Sequence, residues 1–592
     1  MRAMLARTIP TTIAILGAVV CVYGSLIWAG FVWDDKTCFH DAAWQAAEGV
    51  WPRFLLRGFC DWVDYFRPLA VMLFMFEIRA FDVAPGPMHL VSLGMHLVNT
   101  LLIGLLTSQV SQLRKTGLAH RWAAISMLFY GLHPALIEPV SWIGCQAELG
   151  VVMCILAGLI LNLSIASPLA RTMAVSLCFF AAAGFKEAAV AFPPLLVLFD
   201  CMREPAQPDE PAWRSRLSQV WNRQRMVYAG VMLAGIAYLA LRYWALGHTV
   251  TPRTAESVFT LERLQRVSFT YLSYWKLILW PMMGLGPIHT FASERFTAIN
   301  LQSVLIDMAA AGIALGGIYA LCRRLEPGFL IAAVTVAMLP ALNVVPVAFN
   351  ESLYHDRYVM TAVAVSCVLM PWLMAPVLVR GRRLLRVLVT VIGVVWLAFA
   401  VANIRVTIPL WTDELGLWQW ALRENPDSSI AQSHLLSTYL VRGDFARARP
   451  LADALMAADP PCVTCIFNSA NLAFAEHDSM RATRALDRLK ELPIVAHDSR
   501  LLHGYVFASG QLLELRNDLA GAESAYRDAI RLDPDAPLPQ MALASALAKQ
   551  GRIEEARNVA KHALPYFPPD ERELQRVAFE RDLSVAAGGA GL

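Results

Sequence analysis

Apolar runs about as long as a bilayer is thick alternate with short polar turns up to residue 404, and beyond that point the pattern changes character. A membrane-crossing helix needs roughly 20 mostly apolar residues. That length fits residues 9–31, 88–110, 122–138, 145–166, 170–185, 188–201, 226–246, 303–321, 327–346, 358–379 and 385–404. The pattern therefore predicts about eleven spans, of which 170–185 and 188–201 are short enough to form a broken pair around Lys186. Two further apolar stretches, 68–81 and 266–283, are interrupted or flanked by charge and are expected to be interfacial or re-entrant helices. The first span is too long for a signal peptide and lacks a clean small-residue cleavage site, so it is expected to remain in the chain.

After residue 404, Ala, Leu, Arg, Asp and Glu recur at helical spacing. Tetratricopeptide repeats have a period of about 34 residues, with small residues where paired helices touch and Pro closing each unit. Pro534 and Pro568 stand one such period apart. Ala544, Leu547, Gly551, Ile553, Ala556 and Ala563 take the expected places in one unit, and Gly510, Ala522, Tyr526 and Ala529 in another. A unit ending at Pro460 carries Leu435, Tyr439, Gly443, Phe445 and Ala448, and 462–493 reads as a degenerate copy. The predicted fold is all-α, with a polytopic membrane domain over residues 1–408 and a soluble tetratricopeptide-like α-solenoid over 409–592.

Composition sharpens this picture. Hydrophobic residues make up 57% and charged residues 16%, a balance that leaves a soluble protein too little polar surface. A net charge of +3 gives no footing for nucleic acid. The distribution of basic residues says more. Arg2 and Arg7, Arg114, Lys115 and Arg121, Arg171, the cluster Arg203 to Arg225, Arg323 and Arg324, and Arg380 to Arg386 fall on one side if 266–283 does not cross. By the positive-inside rule that side is cytoplasmic, with the N-terminus inside and the repeats outside, the expected setting being a bacterial inner membrane and periplasm. Cys462 and Cys465 form a C-x-x-C without a second ligand pair, which fits a local disulfide or free thiols better than zinc.

On this topology the unusual charges gather at the outer face, and charge near a membrane is costly enough to be informative. Phe31-Val32-Trp33-Asp34-Asp35 follows the first span; two adjacent carboxylates there suit a general base or a cation ligand, although by themselves they read more simply as solvated acids ending a helix. Tyr65-Phe66-Arg67-Pro68-Leu69 lies later in the same loop. His89, His96 and Asn99 lie on the second span, the two histidines being about 10 Å apart and too far for one metal. His133-Pro134 and Glu138-Pro139-Val140-Ser141-Trp142 occupy the next outer turn, followed by Gln146 and Glu148, then Lys186-Glu187, and finally His355-Asp356-Arg357-Tyr358. Together they describe a polar cavity in which Arg67, Lys186 and Arg357 neutralise a phosphate, and His96, Asn99, His133, Glu138, Trp142, Glu148, Glu187 and Tyr358 line the substrate path.

The order of these motifs, with repeats after them, resembles the transmembrane-and-tetratricopeptide protein O-mannosyltransferases and their bacterial relatives, which are similar to the wider GT-C glycosyltransferases. The resemblance implies inverting transfer of a sugar from a polyprenyl-phosphate donor to an acceptor hydroxyl on the non-cytoplasmic face. Asp34 or Asp35 would then be the base, the repeats would hold a protein or glycan acceptor, and no cofactor would be obligatory, a divalent cation being optional. Gln146 and Glu148 stand where the family often has Arg and Asp, and Arg357-Tyr358-Val359-Met360 departs from its Arg-Tyr motif, so the sugar stays open. The competing reading is a non-catalytic membrane scaffold whose repeats assemble an envelope complex. A transporter is a third, but it calls for internal halves and mid-membrane charges that the sequence does not display.

Overall fold

The computed structural model describes residues 2–55, 59–60, 65–113, 119–203, 212–249, 260–290, 296, 299–323, 325–342, 344 and 352–589. Among them every regular element is helical, and the only β pairing is an isolated bridge between Thr290 and Ser352. Of the basic residues used for orientation, Arg114, Lys115 and Arg324 lie outside the described residues.

The chain forms two compact units. One comprises Met1–Asp35 and Trp51–Leu417, the other Lys36–Val50 and Trp418–Leu592. The division thus falls nine residues beyond the expected 408/409 boundary, and a short piece of the first long loop belongs with the C-terminal unit.

In the membrane unit, eight helices are long and apolar enough to cross a bilayer, or nine if the pair Ala119–Gly131 and Pro134–Ser141, bent by 56°, counts as one span. Two of the eleven segments expected to cross are helical but short, Phe192–Arg203 and Glu326–Met338. The apolar stretches not expected to cross form the helices Pro68–Phe81 and Leu261–Leu279. Lipid is as apolar as a leucine side chain, so close approach of backbones has to supply the packing between such helices. Gly150 illustrates it: a Cβ there would lie 2.5 Å from the ring of Phe185 on the neighbouring helix.

The predicted break at Lys186 is present. Helix Pro168–Phe185 ends, Lys186 is extended at φ −163° and ψ 154°, and a 3₁₀ turn Glu187–Ala191 leads into the next helix. A similar interruption at His133 precedes the short helix Ile137–Ser141. These breaks are where polar side chains enter the bundle without burying a charge in the middle of a span.

The second unit is built of helix pairs: Ser429–Val441 with Phe445–Ala457, Val463–Ala475 with Ser479–Lys490, Ser499–Leu515 with Leu519–Leu532, and Pro537–Lys549 with Ile553–Ala563. Helix Pro569–Gly589 follows the last pair. The degenerate copy is therefore a full helix pair. Small residues sit at the helix contacts as the repeat pattern requires: Ala522, Ala544, Ala556 and Ala563 are fully buried, and a Cβ on Gly510 would lie 2.5 Å from the ring of Tyr526. Cys462 and Cys465 are joined in a disulfide at the start of helix Val463–Ala475.

Candidate functional site

The charged residues of the membrane unit converge from helix ends. Arg67 immediately precedes helix Pro68–Phe81, whose first residue, proline, is preorganised for a helical start. Glu148 lies in the first turn of helix Gln146–Ser164, Lys186 and Glu187 at the break just described, and Arg357 in the 3₁₀ turn Asp356–Val359 ahead of helix Met360–Ala375. Six sequence-predicted residues, Arg67, Glu148, Lys186, Glu187, Arg357 and Tyr358, line one cavity of about 560 Å³. Its remaining wall is largely apolar, including Val151, Val152, Phe179, Leu239 and Met360.

Within the cavity each carboxylate is shared by two cations. Glu187 accepts from Arg67 Nε at 3.1 Å and Nη2 at 2.8 Å, and Arg242 Nη1 stands 3.5 Å from its other oxygen. Glu148 accepts from Lys186 and lies 3.7 Å from Arg357 Nε. Lys186 Nζ and the Arg357 guanidinium also sit over the Tyr358 ring, 4.8 Å and 4.7 Å from its centre. Arg242 was not singled out from the sequence. Its signal was an arginine within the apolar run 226–246, where a charge is expensive unless it serves a site.

Behind the cavity, Glu138 holds Arg357 through both its backbone N–H, at 2.8 Å, and its guanidinium. Glu138 is 2% exposed, so this is a buried ion pair that orients Arg357. Trp142 stacks on Trp33 at 4.8 Å, and Arg357 lies 4.9 Å from the Trp142 ring and 5.8 Å from that of Trp33. The neighbouring Asp356 accepts from His289 Nε2 at 2.8 Å and from the Gly286 N–H at 3.0 Å, which ties this turn to the segment after helix Leu261–Leu279.

The acid pair follows Trp33 and is not among the residues that line the cavity. Trp33 adopts φ +59°, a left-handed conformation that is an outlier for a bulky side chain and marks a functional turn more often than chance. The turn closes with the Asp35 N–H donating to Val32 O at 3.1 Å and sets the two carboxylates in different surroundings. Asp35 is 1% exposed and accepts from the N–H groups of Gly144 at 2.9 Å and Ile143 at 3.3 Å. Burial pushes its carboxyl well above the usual range; the Gly144 N–H opposes that and the charge of Asp34 adds to it. Asp34 is only half-buried.

His96, Asn99 and His133 are not brought to the cavity. His96 Nε2 bonds Gly131 O at 3.1 Å, Asn99 Nδ2 donates to Leu149 O at 3.0 Å, and His133 Nε2 bonds Ile278 O at 3.0 Å. They are struts between helices, where freed backbone carbonyls need donors. His89 acts similarly on Gly30 O at 3.2 Å, and Gln146 donates to Glu77 at 3.1 Å.

No curated protein matches the chain. A family model described as a tetratricopeptide repeat matches residues 514–578, which places repeats of that kind at the C-terminal end of the chain.

Proposed function

We propose that this chain is a membrane glycosyltransferase that moves a sugar from a polyprenyl-phosphate donor to an acceptor hydroxyl, on the non-cytoplasmic side where the repeats also lie. The reading rests on one observation: a single cavity joins an apolar wall to the cations Arg67, Lys186, Arg242 and Arg357. An isoprenoid chain needs the former and a phosphate leaving group the latter. The resemblance to the transmembrane-and-tetratricopeptide O-mannosyltransferases and the GT-C group points the same way.

In this scheme the acceptor oxygen attacks the anomeric carbon from the face opposite the phosphate, and its proton passes to a carboxylate. The C1–O bond to phosphate breaks with its electron pair on the phosphate oxygen, where the surrounding cations meet the charge. Asp34 is taken as the base because it is half-buried and so within reach of an acceptor, whereas Asp35 is buried and accepts from the Ile143 and Gly144 N–H groups. The side-chain cations already compensate the leaving-group charge, so a metal ion is not obligatory, a divalent cation being optional.

The decisive experiment incubates the purified protein with a panel of polyprenyl-phosphate sugars and follows release of lipid phosphate and sugar transfer. Asp34→Asn should lower transfer by about 10²–10⁴-fold, the usual contribution of a general base. Full activity in Asp34→Asn, Asp35→Asn and the double variant would overturn the base assignment, and absence of both transfer and lipid-phosphate release with every donor would favour the second reading. That reading, a non-catalytic scaffold for an envelope complex, draws its support from the repeat match at residues 514–578.

A further inference from the structure

The C-x-x-C of the repeat unit is oxidised, with Cys462 and Cys465 joined at the start of helix Val463–Ala475. The two sulfurs stand in unlike surroundings. Cys462 is half-buried in the linker that follows Pro461, whereas Cys465 is fully buried. A thiol arriving from solvent therefore reaches one sulfur and not the other, and attack at Cys462 makes Cys465 the leaving group.

Each sulfur also has a partner for the opened state. Cys462 is the N-cap of the helix, and its Sγ accepts from the Cys465 N–H at 3.3 Å. Thr464 Oγ1 lies 3.5 Å from the same sulfur and is the donor, since a bonded sulfur has no proton to give. Two donors and the positive end of a helix of 13 residues favour a thiolate at Cys462. Cys465 Sγ lies 3.6 Å from Ser429 O, which can accept from the thiol that Cys465 becomes on reduction. Opening the bond thus leaves neither sulfur without a partner. A disulfide that serves only as a staple has no use for groups that stabilise its reduced form.

We propose that Cys462 and Cys465 are an exchangeable dithiol–disulfide couple, in which Cys462 meets a small external thiol and Cys465 is the buried resolving sulfur. The thiolate of the small molecule attacks Cys462 Sγ, and the bond to Cys465 breaks with its electron pair on Cys465, which takes a proton from solvent. A second small thiolate then attacks its own kind in the mixed disulfide. Cys462 leaves as a thiolate, and one molecule of the small disulfide is released. Two thiols are oxidised and the protein disulfide is reduced to the dithiol; the reverse sequence reoxidises it. The couple lies where two helix pairs meet, beside the bond from Asn468 Nδ2 to Ser433 O at 3.0 Å. It belongs to the repeat unit alone and does not depend on the transferase reading.

The test uses full-length protein in detergent, glutathione as the small thiol, and peptide-level mass spectrometry of the cysteines. Without denaturant, reduced glutathione should convert the pair to the dithiol, and oxidised glutathione should restore it. Structural disulfides resist the glutathione pool. In Cys465→Ser a glutathione adduct should accumulate on Cys462, and in Cys462→Ser the adduct on buried Cys465 should be about tenfold less abundant or lower. Alkylation of reduced wild type at Cys462 should reach half its maximal rate below about pH 7.5, against about 8.5 for an ordinary thiol. Thr464→Val should raise that midpoint by about one unit or less, the worth of one hydrogen bond. Hydrogen exchange over 463–475 should stay within about twofold between the two forms. A pair that glutathione opens only in denaturant, or an adduct that prefers Cys465, overturns the couple. So does loss of exchange protection over 463–475 on reduction, which identifies a structural staple. A Cys462 midpoint near the ordinary value overturns its role as the reactive thiolate.

Discussion

The two units use the same residue types, arginine with glutamate, to opposite ends. On the last helix of the repeat unit the pairs are wet and local: Arg576 reaches Glu573 and Glu580 along one helix, with side chains 45% and 63% exposed in the first pair. At the cavity of the membrane unit the pair is dry and long-range: the side chains of Arg357 and Glu138 are 10% and 1% exposed, and they join segments more than two hundred residues apart. Exposed pairs contribute little, because water and salt screen them and ordering the side chains costs entropy. A buried pair is a commitment, since either partner alone is an uncompensated charge in an apolar medium. The same residue types therefore form screened surface pairs on the last helix and a desolvated pair beside the cavity.

Four substitutions test that contrast, in decreasing order of expected effect. Glu138→Ala strips Arg357 of its partner and should destabilise the membrane unit by about 3–5 kcal/mol, read as lost yield and an early thermal transition in detergent. Glu138→Ala folding as well as wild type would mean that Arg357 is not buried as described. Gly510→Ala brings a methyl group against the Tyr526 ring and should cost the repeat unit about 1–3 kcal/mol, read as faster hydrogen exchange over 499–532. Arg242→Gln should raise the donor KM about tenfold with a smaller change in kcat, in keeping with one lost charged hydrogen bond. An unchanged KM would remove Arg242 from the phosphate site. Arg576→Ala should leave the unfolding midpoint of the repeat unit where it is, and a measurable drop would contradict the reading of these pairs as solvated.

Legibility from the sequence was uneven for reasons visible in particular residues. Helix positions were readable because the bilayer sets a length and the repeat sets a period; Lys186 was readable as a break because neither neighbouring apolar run is long enough alone. Arg67, Glu148, Lys186, Glu187, Arg357 and Tyr358 were readable because charge near an apolar run is costly, and all six meet at the cavity. His96, Asn99 and His133 carry the same signal of polarity in an apolar run but bond backbone carbonyls. Residue type reveals that a polar group needs a partner, and it does not reveal which. Arg242 was missed for the converse reason, lying inside a run long enough to absorb it.

What the amino-acid order determined alone is the kind of pieces: apolar runs of bilayer length, a C-terminal array of helical pairs, and charges gathered mostly at the ends of the runs. Local physics suffices for each, because hydropathy, helical period and the cost of a buried charge act within a few tens of residues. Only the tertiary structure decided which ends converge, that Glu138 supports Arg357 rather than lining the cavity, and that Asp35 is buried against the Ile143 and Gly144 N–H groups. It also decided that Lys36–Val50 belongs with the repeats, held by His40 and Asp570 across 530 positions of sequence. Such pairings depend on loop closure and packing among distant segments, and no local pattern in the chain encodes them.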